Sequence, residues 1–126
     1  RDLENGTIEV ARRDTLEKET LQVSDLSNKI SHLLEQIQEN LYQKAANFRD
    51  DNTHYANSWE DFKELIAKDA GFVYAHWDGT TETEQKIKEE TKATIRCIPL
   101  NNKPEEGSCI YSGNPSAQKV LFAKAY

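Results

Sequence analysis

Two periods alternate along this chain. Between residues 26 and 48 apolar side chains recur three and four apart, at Leu26, Ile30, Leu33, Leu34, Ile37, Leu41 and Phe48. That spacing puts them on one stripe and predicts a long amphipathic helix, with Ser24 or Asp25 as its N-cap. The run RDDNTHYANS, residues 49–58, is a polar break. A second helix starts at Ser58, where Asp61 three residues on makes a variant of the capping box, and Trp59, Phe62, Leu65 and Ile66 form its apolar face. Thr81 and Glu84 are placed to cap a third helix reaching about Lys92. Its strong apolar residue is Ile87, so most of its circumference is expected to be wet.

The other period is two. In NGTIEVARRDT an Asn-Gly turn leads into Ile8 and Val10 alternating with polar neighbours, the pattern of a half-buried strand. One strand makes no sheet, so residues 1–20 read as the end of a sheet whose other strands are missing. GFVYAHW (71–77) is β-branched and aromatic, ATIRCIP is a strand ended by Pro99, CIYS (109–112) reads as a short strand, and KVLFAKAY as the last one. From residue 58 the order is helix, strand, helix, then three strands. The fold class is α+β, with the helices gathered on one face of a sheet.

Composition fits a globular chain: 126 residues, 30% charged and 37% hydrophobic, with five glycines and three prolines. The net charge of −6 argues against a freestanding nucleic-acid binder driven by counterion release, though not against a local basic patch. No apolar run approaches a membrane span, and the expected location is the cytoplasm. The chain starts at Arg1 and contains no methionine, which leads us to expect a C-terminal piece of something larger.

Candidate chemistry is sparse. Cys97 and Cys109 are the two cysteines, too few for a disulfide scaffold. Strand alternation puts Cys97 on the face of Ile95, which predicts a core position. His76, Asp78 and Cys109 are metal-ligand types, but spacing alone does not assemble four ligands. A Cys109–His76 nucleophile pair lacks an orienting third group. Glu82, Glu84, Glu89 and Glu90 interleave with Lys86, Lys88 and Lys92 as on a solvated helix face. In ARRDTLEK, Arg12, Arg13 and Lys18 could meet phosphate or serve only as a solvated strand end.

The segments GFVYAHWDGTTETEQKIKEETKATIRCIPL and EGSCIYSGNPSAQKVLFAKAY resemble the C-terminal end of prolyl-tRNA synthetase of the archaeal/eukaryotic type, which some bacteria carry, and RDLENGTIEVARRDTLEKE is similar to the tail of its anticodon-binding domain. The resemblance implies a class II homodimeric ligase that uses ATP and Mg²⁺ to join proline to its tRNA. It divides the chain into an anticodon-domain tail (1–20), a linker with the long helix (21–57) and a C-terminal domain (58–126). That domain is expected to be β-α-β-α-β-β-like, similar to the C-terminal fold of translation initiation factor three, with two helices on one face of a mixed four-stranded sheet. It implies no catalytic site within this chain, and a structural or docking role.

Many members of that family hold zinc with a C-x4-C-x25-C-x2-C pattern. Laid on this sequence without a gap, the four positions are Asp78, Thr83, Cys109 and Ser112. With one thiol and one carboxylate left, a zinc-free domain is expected, its shape kept by Asp-Gly and Ser-Gly turns and by Thr80 or Thr81 capping the third helix. His76 is a weak substitute ligand. The resemblance also implies that Tyr126 reaches toward the catalytic domain and that Arg1 and Lys18 lie near the anticodon-reading surface; with Arg12 and Arg13 they are the tRNA-side candidates. A freestanding RNA- or protein-binding module and a thiol redox protein are the rivals.

Overall fold

The computed structural model describes residues 4–124. Arg1 and Tyr126, both singled out above, lie outside the described residues. The chain divides into two compact units, Arg1–Phe48 and Arg49–Tyr126.

In the first unit β1 (Thr7–Ala11) pairs antiparallel with β2 (Lys18–Gln22), Thr7 opposite Gln22 and Ala11 opposite Lys18. The strand expected to stand alone is therefore half of a hairpin. KETLQ shows no alternation because only Leu21 of β2 is buried, so hydrophobic period could not reveal it. A 3₁₀ turn at Val23–Asp25 precedes helix α1 (Leu26–Asp51). Ser24 and Asp25 lie inside that turn rather than at a cap, and α1 continues past Phe48 into the stretch read as a polar break. No residue of α1 is buried, and Leu34, Leu41 and Phe48 of its apolar stripe are exposed.

The second unit is a mixed sheet under two helices. Its elements are β3 (Thr53–Tyr55), α2 (Trp59–Ala67), β4 (Phe72–His76), α3 (Thr81–Thr91), β5 (Ala93–Cys97), the two-residue strands β6 (Gly107–Ser108) and β7 (Pro115–Ser116), and β8 (Lys119–Lys124). The main sheet runs β3-β4-β8-β5, with β3 parallel to β4 and the other neighbours antiparallel. Without the small β6-β7 hairpin the order is β-α-β-α-β-β, as expected. The fourth strand, however, comes from the presumed polar break: THY pairs with Phe72–Tyr74, and that pairing, not its own pattern, makes it a strand.

Local signals start the helices. Ser58 Oγ accepts from the Asp61 amide at 3.2 Å, as the capping box predicts. Of the two threonines expected to cap α3, it is Thr80 that does so, accepting from the Thr83 amide at 3.3 Å. Lys92 ends α3 in the left-handed region at φ 64° and turns the chain directly into β5. The core forms where Phe62 and Ile66 of α2 and Ile87 of α3 meet Val73, Ala75, Ala93, Val120 and Phe122 of the sheet. Phe62 and Phe122 meet edge to face, centroids 5.1 Å apart. Ile87 is fully buried, so the one apolar residue of α3 suffices to seat it.

Two expectations fail here. Cys97 is exposed. Ile95 pairs with Phe122, but Cys97 pairs with Leu121, so a bulge at Arg96 breaks the alternation and turns Cys97 to the opposite face. CIYS is a turn between β6 and β7 rather than a strand. Its Ile110 is buried in the core and its Tyr111 packs against it, without a ladder to hold either.

Gly71 bends the chain into β4 at φ +97°, where a Cβ would lie 2.5 Å from the Asn52 carbonyl oxygen. Gly71→Ala should destabilise the second unit by on the order of 1–3 kcal/mol, read as a lower urea midpoint with an unchanged slope.

Candidate functional site

At the C-terminal end of β4 the chain turns at Asp78 and enters α3, and the β6-β7 hairpin packs beside it. The Asp78 carboxylate is where these segments meet. Its Oδ1 accepts from the Thr80 amide (3.1 Å) and the Thr80 hydroxyl (2.8 Å). Its Oδ2 accepts from Thr83 Oγ1 (2.9 Å), Ser112 Oγ (2.6 Å) and Asn114 Nδ2 (3.4 Å). Three of the expected frame positions, Asp78, Thr83 and Ser112, are thus in direct contact.

The hydroxyls are used twice. Thr80 Oγ1 donates to Asp78 and accepts from the Thr83 amide, and Ser112 Oγ donates to Asp78 and accepts from the Asn114 amide at 3.3 Å. Such chains orient each proton and strengthen one another. Desolvation pushes the Asp78 carboxyl up, but the hydrogen bonds from Ser112, Thr80 and Thr83 outweigh it and hold the group well below the usual carboxylate range.

Cys109, the fourth position, is buried. Its amide donates to the Asn114 carbonyl at 2.7 Å, its carbonyl accepts from the Gly113 amide at 3.0 Å, and the next amide, of Ile110, donates to the His76 carbonyl at 2.9 Å. The turn is closed on itself and tied to β4 by backbone bonds. Tyr111 packs edge-on against Trp59 of α2, centroids 5.0 Å apart, and its hydroxyl donates to Glu90 of α3 at 2.7 Å. The turn thereby touches both helices and the sheet.

His76 plays another part. Ser116 Oγ lies 2.8 Å from the Trp77 carbonyl and 2.9 Å from the Gln118 carbonyl, both acceptors only. His76 Nδ1 lies within hydrogen-bond distance of the same hydroxyl, at 3.1 Å. Gly107 closes over the ring, where a Cβ would fall 2.3 Å from Nε2. The ring is thus held between Ser116 and Gly107, with Glu105 Oε1 3.9 Å from its Nε2. Spacing could not reveal this, since Ser116 is far away in sequence.

In the first unit, Arg12 is committed internally. Its Nη2 and Nε donate to Asp14 at 2.7 and 3.1 Å, and its Nη1 donates to Gln36 of α1 at 3.2 Å. Asn40 of α1 donates to Asp14 at 2.8 Å. The hydrogen bond from Arg12 holds the Asp14 carboxyl well below the usual range, against desolvation and with help from Asn40. This network clasps the hairpin to the helix. Arg13 is exposed in the turn, and Lys18 pairs across the hairpin with Glu9 at 2.9 Å.

A family model described as prolyl-tRNA synthetase, C-terminal, matches residues 59–126. The chain belongs to the prolyl-tRNA synthetase C-terminal family. It is also 57% identical, over its full length, to proline–tRNA ligases of Cytophaga hutchinsonii and Porphyromonas gingivalis, and 55% identical to that of Azobacteroides pseudotrichonymphae. It spans about a quarter of these relatives, 26%, 25% and 25% of their lengths.

The zinc that the resemblance implies for many synthetases of this family is a poor fit to these residues. A structural site wants four thiolate, imidazole or carboxylate donors. Here two positions are neutral hydroxyls, and the one carboxylate already accepts from them. Among the described residues no three His, Cys, Asp or Glu side chains are grouped to hold a metal ion.

Asp78→Ala removes the common acceptor and leaves the hydroxyls of Thr83 and Ser112 without it. A loss of about 1–3 kcal/mol is expected in chemical denaturation at pH 7. The pH dependence has a definite sign. The Asp78 pKa in the fold lies below its ordinary value of 3.8, so the unfolded chain takes up the proton first as pH falls. The stabilisation is therefore full above about pH 5 and declines below about pH 4. Asp78→Asn should flatten that part of the stability–pH profile.

Proposed function

We propose that this chain is the C-terminal part of a cytoplasmic prolyl-tRNA synthetase, the ligase that uses ATP and Mg²⁺ to attach proline to tRNA(Pro), working as a homodimer. The observation that carries the reading is the family match over 59–126 together with 57% identity to proline–tRNA ligases across all 126 residues. Residues 1–20 are then the tail of the anticodon-binding domain, 21–57 a linker, and 58–126 the C-terminal domain. The chain has no catalytic site of its own. Its role is to pack against the other domains and to carry Tyr126 toward the active site. The fragment's own side chains supply shape here, and ATP, Mg²⁺, proline and tRNA belong to the whole enzyme.

The domain is zinc-free in this reading, with Asp78 replacing the metal as the link between the α3 turn and the Ser112 turn. The hydrogen bonds it accepts from Thr83 and Ser112 support this. On the tRNA side, the exposed Arg13 and Lys18 are the candidates to meet phosphate, and Arg1 is a third candidate. Arg12 serves the hairpin clasp.

Full-length gene product should catalyse proline-dependent exchange of pyrophosphate into ATP, and deleting Tyr126 should reduce it. A gene product close to 14.4 kDa, or one without that exchange, would overturn the reading. Elemental analysis of the 126-residue chain should find well under one zinc per molecule, with a melting temperature indifferent to chelator.

Arg12 and Arg13 should separate by readout. Arg12→Ala should lower the melting temperature, because it opens the Asp14 network. Arg13→Ala should leave it unchanged and weaken tRNA binding by the full-length enzyme with a shallower salt dependence.

A further inference from the structure

Asn5-Gly6 is the only Asn-Gly pair in the chain, and it sits in the turn that leads into β1. Asn5 is exposed, and its side chain has no hydrogen-bond partner among the described residues. Gly6 lies at φ +64°, and a Cβ built on it would meet only Gln22 Oε1, at 3.9 Å. With no Cβ of its own, nothing on Gly6 shields its nitrogen. The Gly6 amide has no acceptor among the described residues, while its carbonyl accepts from the Val23 amide at 2.9 Å. A side-chain amide carbon and a backbone nitrogen are therefore neighbours in the chain, and neither is tied to a partner.

That pairing permits ring closure. Once a solvent base has taken its proton, the Gly6 nitrogen attacks Asn5 Cγ. The N–Cγ bond forms, the Cγ–Nδ2 bond breaks, and Nδ2 leaves as ammonia. Water then opens the five-membered imide. Addition at Cγ gives aspartate, and addition at the main-chain carbonyl carbon gives isoaspartate, with the chain rerouted through the side chain. Water enters, ammonia leaves, and nothing is oxidised or reduced. The product adds one negative charge to a chain already at −6. The isoaspartyl form also lengthens the main chain by one carbon, directly before the residue whose carbonyl closes the open end of the β1-β2 hairpin.

Asp78-Gly79 is the one Asp-Gly pair of the chain and carries related ring chemistry. There both carboxylate oxygens accept hydrogen bonds, from Thr80 on one side and from Thr83, Ser112 and Asn114 on the other. The carboxylate stays ionised, and an ionised carboxylate is a poor electrophile.

We propose that Asn5 is a modification site of the folded protein, converted through a succinimide with Gly6 to aspartate and isoaspartate, while the fold protects the related pair Asp78-Gly79. The proposal does not depend on the synthetase reading.

The test incubates the full-length gene product over weeks at body temperature and neutral pH, native and unfolded in urea. Tryptic peptides 2–12 and 69–86 are followed by mass spectrometry, with a zero-time digest as the baseline. Peptide 2–12 should gain about 1 Da, and its isoaspartyl product should accept a methyl group from S-adenosylmethionine in the presence of a protein-isoaspartate methyltransferase. The native rate should lie within about tenfold of the unfolded one. In peptide 69–86, isoaspartate at Asp78 leaves the mass unchanged and is read by the same methylation. It should form at least about tenfold more slowly in the native protein than in the unfolded one. Asn5→Gln, which would need a six-membered ring, should abolish the mass gain in peptide 2–12 and leave the melting temperature unchanged. A larger native retardation at Asn5 overturns the proposal, because the fold then shields the pair. So does a mass gain that survives Asn5→Gln. A smaller native retardation at Asp78 overturns the protection assigned to its hydrogen bonds.

Discussion

The main sheet depends on a strand that comes late. β8 lies between β4 and β5, and neither of those pairs with the other. Phe122 of β8 packs edge-on against Phe62 of α2 and sits opposite both Val73 and Ile95 in the ladders. Remove β8 and Phe62 of α2 loses its edge-to-face partner, β5 loses the one ladder it makes among the described residues, and α3, seated through Ile87, loses the floor beneath it. The contacts that complete the core are therefore long-range, and such topologies collect their stabilisation late in folding. β3 depends on the same chain of support at one remove, because its three residues pair only with β4.

The Asp78 network answers a second constraint. The chain from β5 to β8 must leave the sheet, turn around beyond the end of β4 and come back between β4 and β5. Backbone bonds from Cys109 and Ile110 close that excursion, and one carboxylate joins it to the start of α3. A metal ion would make the same connection with four strong bonds. Here it is made by hydroxyl and amide donors, individually modest and mutually oriented. A carboxylate in that position must stay ionised to accept from every side, which is why its proton affinity is depressed despite desolvation.

Legibility from sequence tracked whether a residue's role was local. α2 with its Ser58 cap, β4, α3, β5 and β8 all follow from period and capping. β2 and β3 did not, since KETLQ and THY carry no pattern of their own and are strands only because a partner pairs with them. The outward turn of Cys97 is a bulge, a two-against-one irregularity of pairing that no single strand discloses. Cys109–Ser112 misled because Ile110 and Tyr111 have strand-like side chains that are buried by helices rather than by a ladder. Asp78, Thr83 and Ser112 were brought into one frame by family resemblance. Asn114 and the Ser116–His76 contact were missed, because they arise only once distant segments are folded together.

The edges of the main sheet have one more consequence. An edge strand with free amides and carbonyls is a template on which another extended chain can add. β3 at one margin is only three residues long, and β5 at the other is interrupted by its bulge at Arg96, whose side chain folds back on the Lys124 carbonyl. Neither margin offers a long regular ladder, so growth of the sheet by strand addition is discouraged at both ends. A protein that exposes Tyr55 and Phe72 on a sheet face has particular need of this protection, because it keeps association confined to side-chain contact and away from open-ended polymerisation.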